Sequence, residues 1–306
     1  MTEDPESVVM SSQFSLVSRG TERLVLNGQI PPSEYDRMRC PHQAGTFQFP
    51  VKYGYALVGT VTGGPGDLAG RTVFALHPHQ SVAALGADAV TVVPEAIPAR
   101  RATLAANMET ALNVVWDSAV SLGDDVLVVG AGVVGLLIAR LLARIPGTRV
   151  SVCDRDGSRA EIVEAFGARF ATHERVGDGF DIAINATGND AGLRIAIAAT
   201  AMEGRVVEAS WHGARQASVD LGGPFHARRL SIKSSQVGVI PPDRVPRWGH
   251  KRRLAAVMRL LDDPLLDRLF TAEVPLHEAP ARLPDLMRPD APQLAILITY
   301  PANKDE

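Results

Sequence analysis

A run of three glycines set between a strand and a helix constrains this chain more than any other feature. Asp125-Val-Leu-Val-Val129 leads directly into Gly130-Ala131-Gly132-Val133-Val134-Gly135, and an apolar helical pattern continues to Arg144. Closely spaced glycines occur in many turns, so the strand before and the helix after carry the inference of a dinucleotide cradle. The three glycines answer different demands. Gly130 permits a tight turn, Gly132 lets the backbone approach a pyrophosphate, and Gly135 lets helix and strand pack closely. The first helical turn, with Val133 and Val134, presents free N–H groups and the positive dipole end to phosphate. The next strand, Val150–Cys153, ends at Asp154. That is about 20 residues past the glycines, where a carboxylate accepts ribose hydroxyls and repels a 2′-phosphate. Arg155 partly reverses that preference, so NAD is expected and NADP is the alternative. Asp154-Arg155-Asp156-Gly157 also reads as a plain turn, and Cys153 as a small core residue.

Strands and helices alternate around this unit. Val126–Val129, Val150–Cys153, Ile182–Ile184, Val206–Glu208 and Leu230–Ile232 read as buried strands, and Gly132–Arg144, Ser158–Phe166 and Ala191–Ala199 as helices. Such alternation predicts a doubly wound parallel sheet covered on both faces. The first hundred residues differ, with short apolar stretches Ala56–Val61, Thr72–Leu76 and Val90–Val93 separated by punctuation such as Gly63-Gly64-Pro65-Gly66. Ala99–Val120 reads as one helix joining the two patterns; a helix near Lys251–Leu261 and a strand at Leu294–Tyr300 close the chain. With 306 residues, the expected fold is α/β, a Rossmann sheet at 105–238 plus a β-rich domain formed by 1–104 and 239–306. A net charge of −3 leaves no electrostatic footprint for nucleic acid, and clusters such as Lys251-Arg252-Arg253 read as a solvated face. Glycines and Arg140 interrupt the longest apolar run, Val126–Ala143, so no membrane span is expected. Only Cys40 and Cys153 occur, and Met1–Met10 lacks a basic stretch followed by an apolar core, so a cytoplasmic location without disulfides is expected.

At this point the chain resembles the medium-chain dehydrogenase/reductase family over nearly its whole length. Leu122-Gly123-Asp124-Asp125-Val126 before the glycines, Phe166-Gly167-Ala168 and Asn185-Ala186-Thr187-Gly188 carry the resemblance. It implies a GroES-like domain joined to the Rossmann domain, NAD(P)-dependent hydride transfer and a homodimer. It also implies that Arg159 touches the adenosine ribose and that Thr110 lies near the nicotinamide. A hairpin that precedes Glu6-Ser7-Val8-Val9 in the family is missing, so a late start or a trimmed domain is expected. Zinc members carry Cys, His and a third ligand where this chain has Ser18 or Arg19, Tyr55, and Ala105 or Ala106. No His/Cys set survives there, so no zinc is expected. Gly20-Thr21-Glu22-Arg23-Leu24, with Pro31-Pro32 and Gly54-Tyr55, is locally similar to the bacteriochlorophyllide a dehydrogenase subgroup, a likeness too short to carry a substrate across.

Without zinc, a hydrogen-bond donor has to stabilise a nascent oxyanion. Tyr55 is the first choice, with a core tyrosine as its plain alternative; Thr21 matches the family's proton-relay hydroxyl, or else caps a turn after Gly20. Lys52, in the same segment, either lowers the phenol's pKa or is an ordinary surface lysine. His77-Pro78-His79 stands beside a strand and reads as loop, substrate contact or, with His42, a relocated metal site. Ser210-Trp211-His212-Gly213 follows a strand at the end where parallel sheets take ligands, so Thr187, Gly188, Ser210 and Trp211 join the cofactor set. Trp211 either walls the nicotinamide pocket or fills a crevice. Leu230–Ser235 resembles the family strand that pairs across a two-fold axis. A small-molecule dehydrogenase is thus the leading reading. A non-catalytic dinucleotide-binding protein and a zinc enzyme with relocated ligands are the rivals.

Overall fold

The computed structural model describes residues 7–301. In chain order the first elements are β1 (Ser7–Val17), α1 (Arg19–Leu26), β2 (Ala44–Gly45), β3 (Val51–Lys52), β4 (Leu57–Gly63), β5 (Thr72–Ala75), β6 (Val82–Gly86) and β7 (Val90–Val92). Then come α2 (Ala99–Ala102), α3 (Ala105–Ser118), β8 (Asp125–Val129), α4 (Val133–Leu142), β9 (Arg149–Cys153), α5 (Ala160–Ala165), β10 (Arg169–Ala171) and β11 (Phe180–Asn185). The remainder is α6 (Asp190–Ala199), β12 (Thr200–Glu208), β13 (Ser231–Ser234), α7 (His250–Leu260), β14 (Phe270–Pro275), α8 (Ala279–Leu286) and β15 (Ala295–Thr299). The chain divides into two compact units, Met1–Ala106 with Ala256–Glu306, and Asn107–Ala255.

β1 organises the first unit. Its amino-terminal half pairs with β6 and its carboxy-terminal half with β15, while β4 lies antiparallel along the other side. Two register shifts against β4, at Val9/Met10 and Ser12/Phe14, turn the strand between those partners. Val8 and Met10 point inward and are fully buried while Val9 is exposed, the period-two signature of a strand with one face on the core. Leu57, Val73, Ala75, Leu85, Ile296 and Ile298 complete that core.

The second unit carries six parallel strands in the order β10-β9-β8-β11-β12-β13. Val126, Leu127, Val128 and Val129 are all 0% exposed, so this strand reads in sequence as a continuous apolar run rather than an alternating one. The order reverses between β8 and β11, the topological switch point where such sheets bind ligands at their carboxyl ends. Among the described residues no helix is long and apolar enough to cross a membrane.

Several sequence expectations need correction. The single helix Ala99–Val120 is two, α2 and α3: the Thr103 hydroxyl donates to Arg100 O at 2.7 Å, and the buried Arg101 guanidinium forks onto Asp267 at 2.8 and 2.6 Å. These side-chain bonds turn the chain where propensity alone would continue it. Thr21 lies inside helix α1 rather than in a turn. β1, β6 and β14 carry no strand expectation from the sequence, and the last Rossmann strand starts at Ser231. The return to the β-rich unit falls at Ala256 rather than 239. Residues before it are held by Trp248 against Trp116 (4.9 Å between ring centres) and by a buried Arg253–Glu109 ion pair at 3.0 Å. Long-range partners of this kind leave no periodic trace in sequence.

Candidate functional site

The glycine loop joins the end of β8 to the start of α4. Gly130 sits at φ +106°, and a Cβ there would stand 3.0 Å from Thr187 Cγ2. A Cβ on Gly135 would lie 1.9 Å from Gly130 O, so the helix can sit this close to the strand only with glycine. Gly132 differs: a Cβ there would meet no heavy atom within 4 Å. That opening is what a bound pyrophosphate requires, and packing does not account for it. Gly132 caps α4, and the first helical bond runs from Leu136 N to Gly132 O at 2.9 Å. The N–H groups of Val133, Val134 and Gly135 therefore precede the helix's own hydrogen bonding. A dinucleotide phosphate fits this cradle.

Asp154 braces the loop from the end of β9. One carboxylate oxygen accepts Ala131 N at 2.6 Å and the other accepts Asp156 N at 2.9 Å. Each oxygen keeps a lone pair for further donors. Arg155 is exposed, whereas Arg159 is drawn in and paired with Asp156 at 3.2 Å. The carboxyl ends of β11 and β12 form the adjoining wall. Buried Asn185 accepts Thr187 N and Thr187 Oγ1 at 3.2 and 2.7 Å, and donates to Glu208 at 2.7 Å. Glu208 also accepts Ser210 N at 3.0 Å, and Ser210 Oγ donates to Asn185 O at 3.3 Å. Gly188, Ser210 and Trp211 are thus brought together, within 3.7 Å of a Cβ placed on Gly188. Thr110 is half-buried on α3 in the same unit. Asn185 and Glu208 organise this wall, yet the sequence offered only a polar pair at two strand ends. A groove of about 660 Å³ opens at the opposite edge of the sheet, where β8, β9 and β11 begin, and touches none of these residues.

The β-rich unit holds a second polar cluster. The Tyr55 phenol bonds the hydroxyls of Ser18 and Thr21, and its ring stands edge-on to Tyr53 at 6.0 Å. Burial, reinforced by the Glu22 carboxylate, pushes the phenol's pKa up to about 12. This corrects the role expected of Lys52, which is exposed and bonds Gln80 Oε1 instead of drawing the phenol toward neutrality. Burial likewise pushes the neighbouring Cys40 thiol up to about 11. Glu22, buried in α1, accepts Ser18 N at 2.7 Å and meets His79 Nε2 at 2.9 Å. His79 Nδ1 lies 2.7 Å from Ser15 Oγ, which is 2.7 Å from the Tyr300 phenol. Glu22, Ser15 and Tyr300 were not singled out as candidates in the sequence, because the contacts that join them depend on partners such as Tyr300, 285 positions from Ser15. His77 is buried apart from this network, stacked on His42 with ring centres 5.2 Å apart and its Nδ1 2.8 Å from Pro78 O; burial lowers its pKa.

The residues at the expected zinc positions do not fit the ion. Arg19 donates to the carbonyls of Arg288 and Ala291 at 2.9 and 3.1 Å, and also to Gln293 O. Ser18 serves Tyr55, while Ala105 and Ala106 have no donor atom to offer. Among the described residues no three His, Cys, Asp or Glu side chains are grouped as a metal would require, and both His79 ring nitrogens are engaged by Ser15 and Glu22.

These features define a parallel sheet with a glycine loop at its switch point and, as a separate unit, a β-rich sheet. The sequence matches no protein-family profile and no curated protein. Solved structures do match, and they show the fold of the medium-chain dehydrogenases. The 2R,3R-butanediol dehydrogenase from Bacillus subtilis aligns with TM-score 0.74 at 18% identity, over 99% of this chain and 94% of its own. Alcohol dehydrogenase from Thermus sp. ATN1 aligns with TM-score 0.73 at 18% identity, over 98% and 94%. A short chain alcohol dehydrogenase from Escherichia coli CFT073, complexed with NADH, aligns with TM-score 0.74 at 17% identity, over 96% and 92%.

Proposed function

We propose that this chain is an NAD(P)-dependent oxidoreductase that acts without zinc on a small carbonyl, alcohol or activated double bond. The observation that carries the proposal is the open cradle at Gly132, set at the switch point of the parallel sheet. Support comes from the shared fold with dehydrogenases, one of them complexed with NADH. When bound, the nicotinamide supplies the hydride chemistry. The Gly130–Gly135 loop and the start of α4 would hold the pyrophosphate, and Asp154 would accept ribose hydroxyls with its remaining lone pairs. The half-buried Tyr55 phenol, kept protonated, would donate to the substrate oxygen, with Thr21 and Ser18 able to return the proton. Action as a homodimer in the cytoplasm is part of this reading.

The test has two stages. NADH should bind, as read from nucleotide fluorescence, and a screen of carbonyl compounds should find NADH oxidation. Tyr55→Phe should then lower turnover by about 10²–10⁴-fold while leaving NADH affinity unchanged. Tight NADH binding with no turnover across the screen would instead favour a non-catalytic dinucleotide-binding protein. A Phe variant as active as the parent would remove Tyr55 from the chemistry.

A further inference from the structure

We propose that the groove where β8, β9 and β11 begin is a second small-molecule site, which takes a compound bearing a phosphate group on a flat apolar body. Strand β8 separates it from the cradle: Asp125 at one end lines the groove, and Gly130 follows the other end. Five residues of strand span roughly 16 Å, so the two sites are distinct. The groove encloses about 660 Å³, inside the range of about 300–1,000 Å³ that small-molecule pockets occupy. Its lining follows from the sheet. Leu127 on β8 and Ala183 on β11 are partners in register and share a core with Leu193 and Ala196 of α6. The same row continues as Ser151 on β9 and Arg169 on β10. Partners in register lie on one face of the pleat, so an apolar row turns polar at the edge of the sheet. Ser151 is half-buried there, and its hydroxyl has no partner among the described residues. Val176 and Phe180, packed against the same core, give the groove an apolar wall.

The charges in the groove do not balance. Arg149, Arg169 and Arg175 line it against two acids, Asp125 and Asp178. Both Asp125 oxygens accept from Arg149, and Asp178 is held at 3.2 Å by Arg228, which lies outside the lining. Arg169 and Arg175 are left exposed and in no ion pair among the described residues. Glu174 is next to Arg175 in the chain but bonds the Thr172 side chain instead. Two uncompensated guanidinium groups in one groove concentrate anions there. Each planar fork meets two oxygens of a phosphate at once. A phosphate monoester brings close to two charges and three acceptor oxygens, enough to serve both forks. A lone carboxylate brings one charge and two oxygens, and serves one. The wall of Val176 and Phe180 beside the arginines calls for an apolar, ring-like body on the same molecule.

Phenyl phosphate is the probe, titrated into the full chain by calorimetry beside inorganic phosphate, which lacks the ring, and benzoate, which lacks the second charge. It should bind once per chain with a Kd below about 1 mM, and at least about tenfold more tightly than either comparison compound. Arg169→Gln and Arg175→Gln should each weaken it by about tenfold, through loss of charge-assisted hydrogen bonds. Lys251→Gln, which removes an exposed cation from α7, should leave it unchanged. Backbone-amide NMR of the parent should place the shifts caused by phenyl phosphate at Ser151, Arg169 and Phe180. Shifts confined to Gly130–Gly135 would mean that the probe occupies the cradle, and would overturn the proposal. Equal affinity for the three compounds would do the same, as would equal weakening by Lys251→Gln and the two arginine variants. Arg169 and Arg175 are exposed, so the thermal midpoints of their variants should stay near the parent's. The result is independent of turnover: a protein that oxidises no NADH can still bind phenyl phosphate in this groove, and the reverse also holds.

Discussion

A pair of glycine substitutions separates binding from folding in the proposed cradle. At Gly132 the backbone lies at φ −76°, ψ 178°, which alanine adopts without strain, and an added methyl meets nothing within 4 Å. Two small effects on stability then oppose each other. Alanine narrows the unfolded ensemble, worth about 0.4–1 kcal/mol in favour of the fold. It is also a poorer residue than glycine at a helix N-cap, costing about 1 kcal/mol or less. The net is near zero, so the thermal midpoint should stay within about 3 °C of the parent in a chain of this length. The same methyl projects into the space reserved for the pyrophosphate. NADH should therefore bind at least about tenfold more weakly, equivalent to 1.4 kcal/mol. Gly135→Ala should behave otherwise, because its methyl would stand 1.9 Å from Gly130 O and must push α4 off β8. Overpacking of this kind costs about 1–3 kcal/mol, and the displaced loop weakens binding as well. Differential scanning fluorimetry beside a nucleotide-fluorescence titration reads both quantities. Parent-like NADH binding by a folded Gly132→Ala protein would refute the cradle; an unshifted midpoint in Gly135→Ala would refute the packing argument.

Three further outcomes are expected. The protein should bind NADH more tightly than NADPH, and Asp154→Ala should erode that preference while also freeing the Ala131 and Asp156 amides; equal or better NADPH binding by the parent would give the preference to Arg155 or Arg159. Purified protein should carry far less than one zinc per chain by elemental analysis, with midpoint and NADH affinity insensitive to chelators, and stoichiometric zinc surviving dialysis would contradict the reading of Arg19 and Tyr55. Among the described residues β13 is an edge strand paired with β12 alone, its four residues are exposed, and Ile232 is 39% accessible. Such an edge favours pairing with a second copy, so light scattering at micromolar concentration should report a dimer, and a monomer alone would defeat that expectation.

The Rossmann half was the more legible part of the chain for a definite reason. Its central strands β8, β9 and β11 are largely buried on both faces and are joined through short helices, so these elements announce themselves within a window of about ten residues. Gly130, Gly132 and Gly135 could be assigned separate roles from residue type and spacing, since each answers to a local demand of a turn, an approach or a contact. The β-rich half resisted the same reading. β1 takes three partners from β4, β6 and β15, and its side chains follow those partners rather than any local repeat. Thr21 and Tyr55 were found as candidates, but Lys52 was given a part that its exposed position and its bond to Gln80 do not support.

The sequence by itself determined the parallel sheet, the glycine loop, the acid at the end of the second strand and the absence of His or Cys at Ser18, Arg19, Tyr55, Ala105 and Ala106. All of these depend on residue type and short spacing. Only the tertiary structure decided what surrounds Tyr55. Glu22, Ser15, His79 and Tyr300 come from α1, β1, the loop after β5 and the end of β15, with 285 positions separating Ser15 from Tyr300. Burial, which raises the phenol's pKa, is a property of that assembly. No single segment encodes it, because only folding brings these segments together.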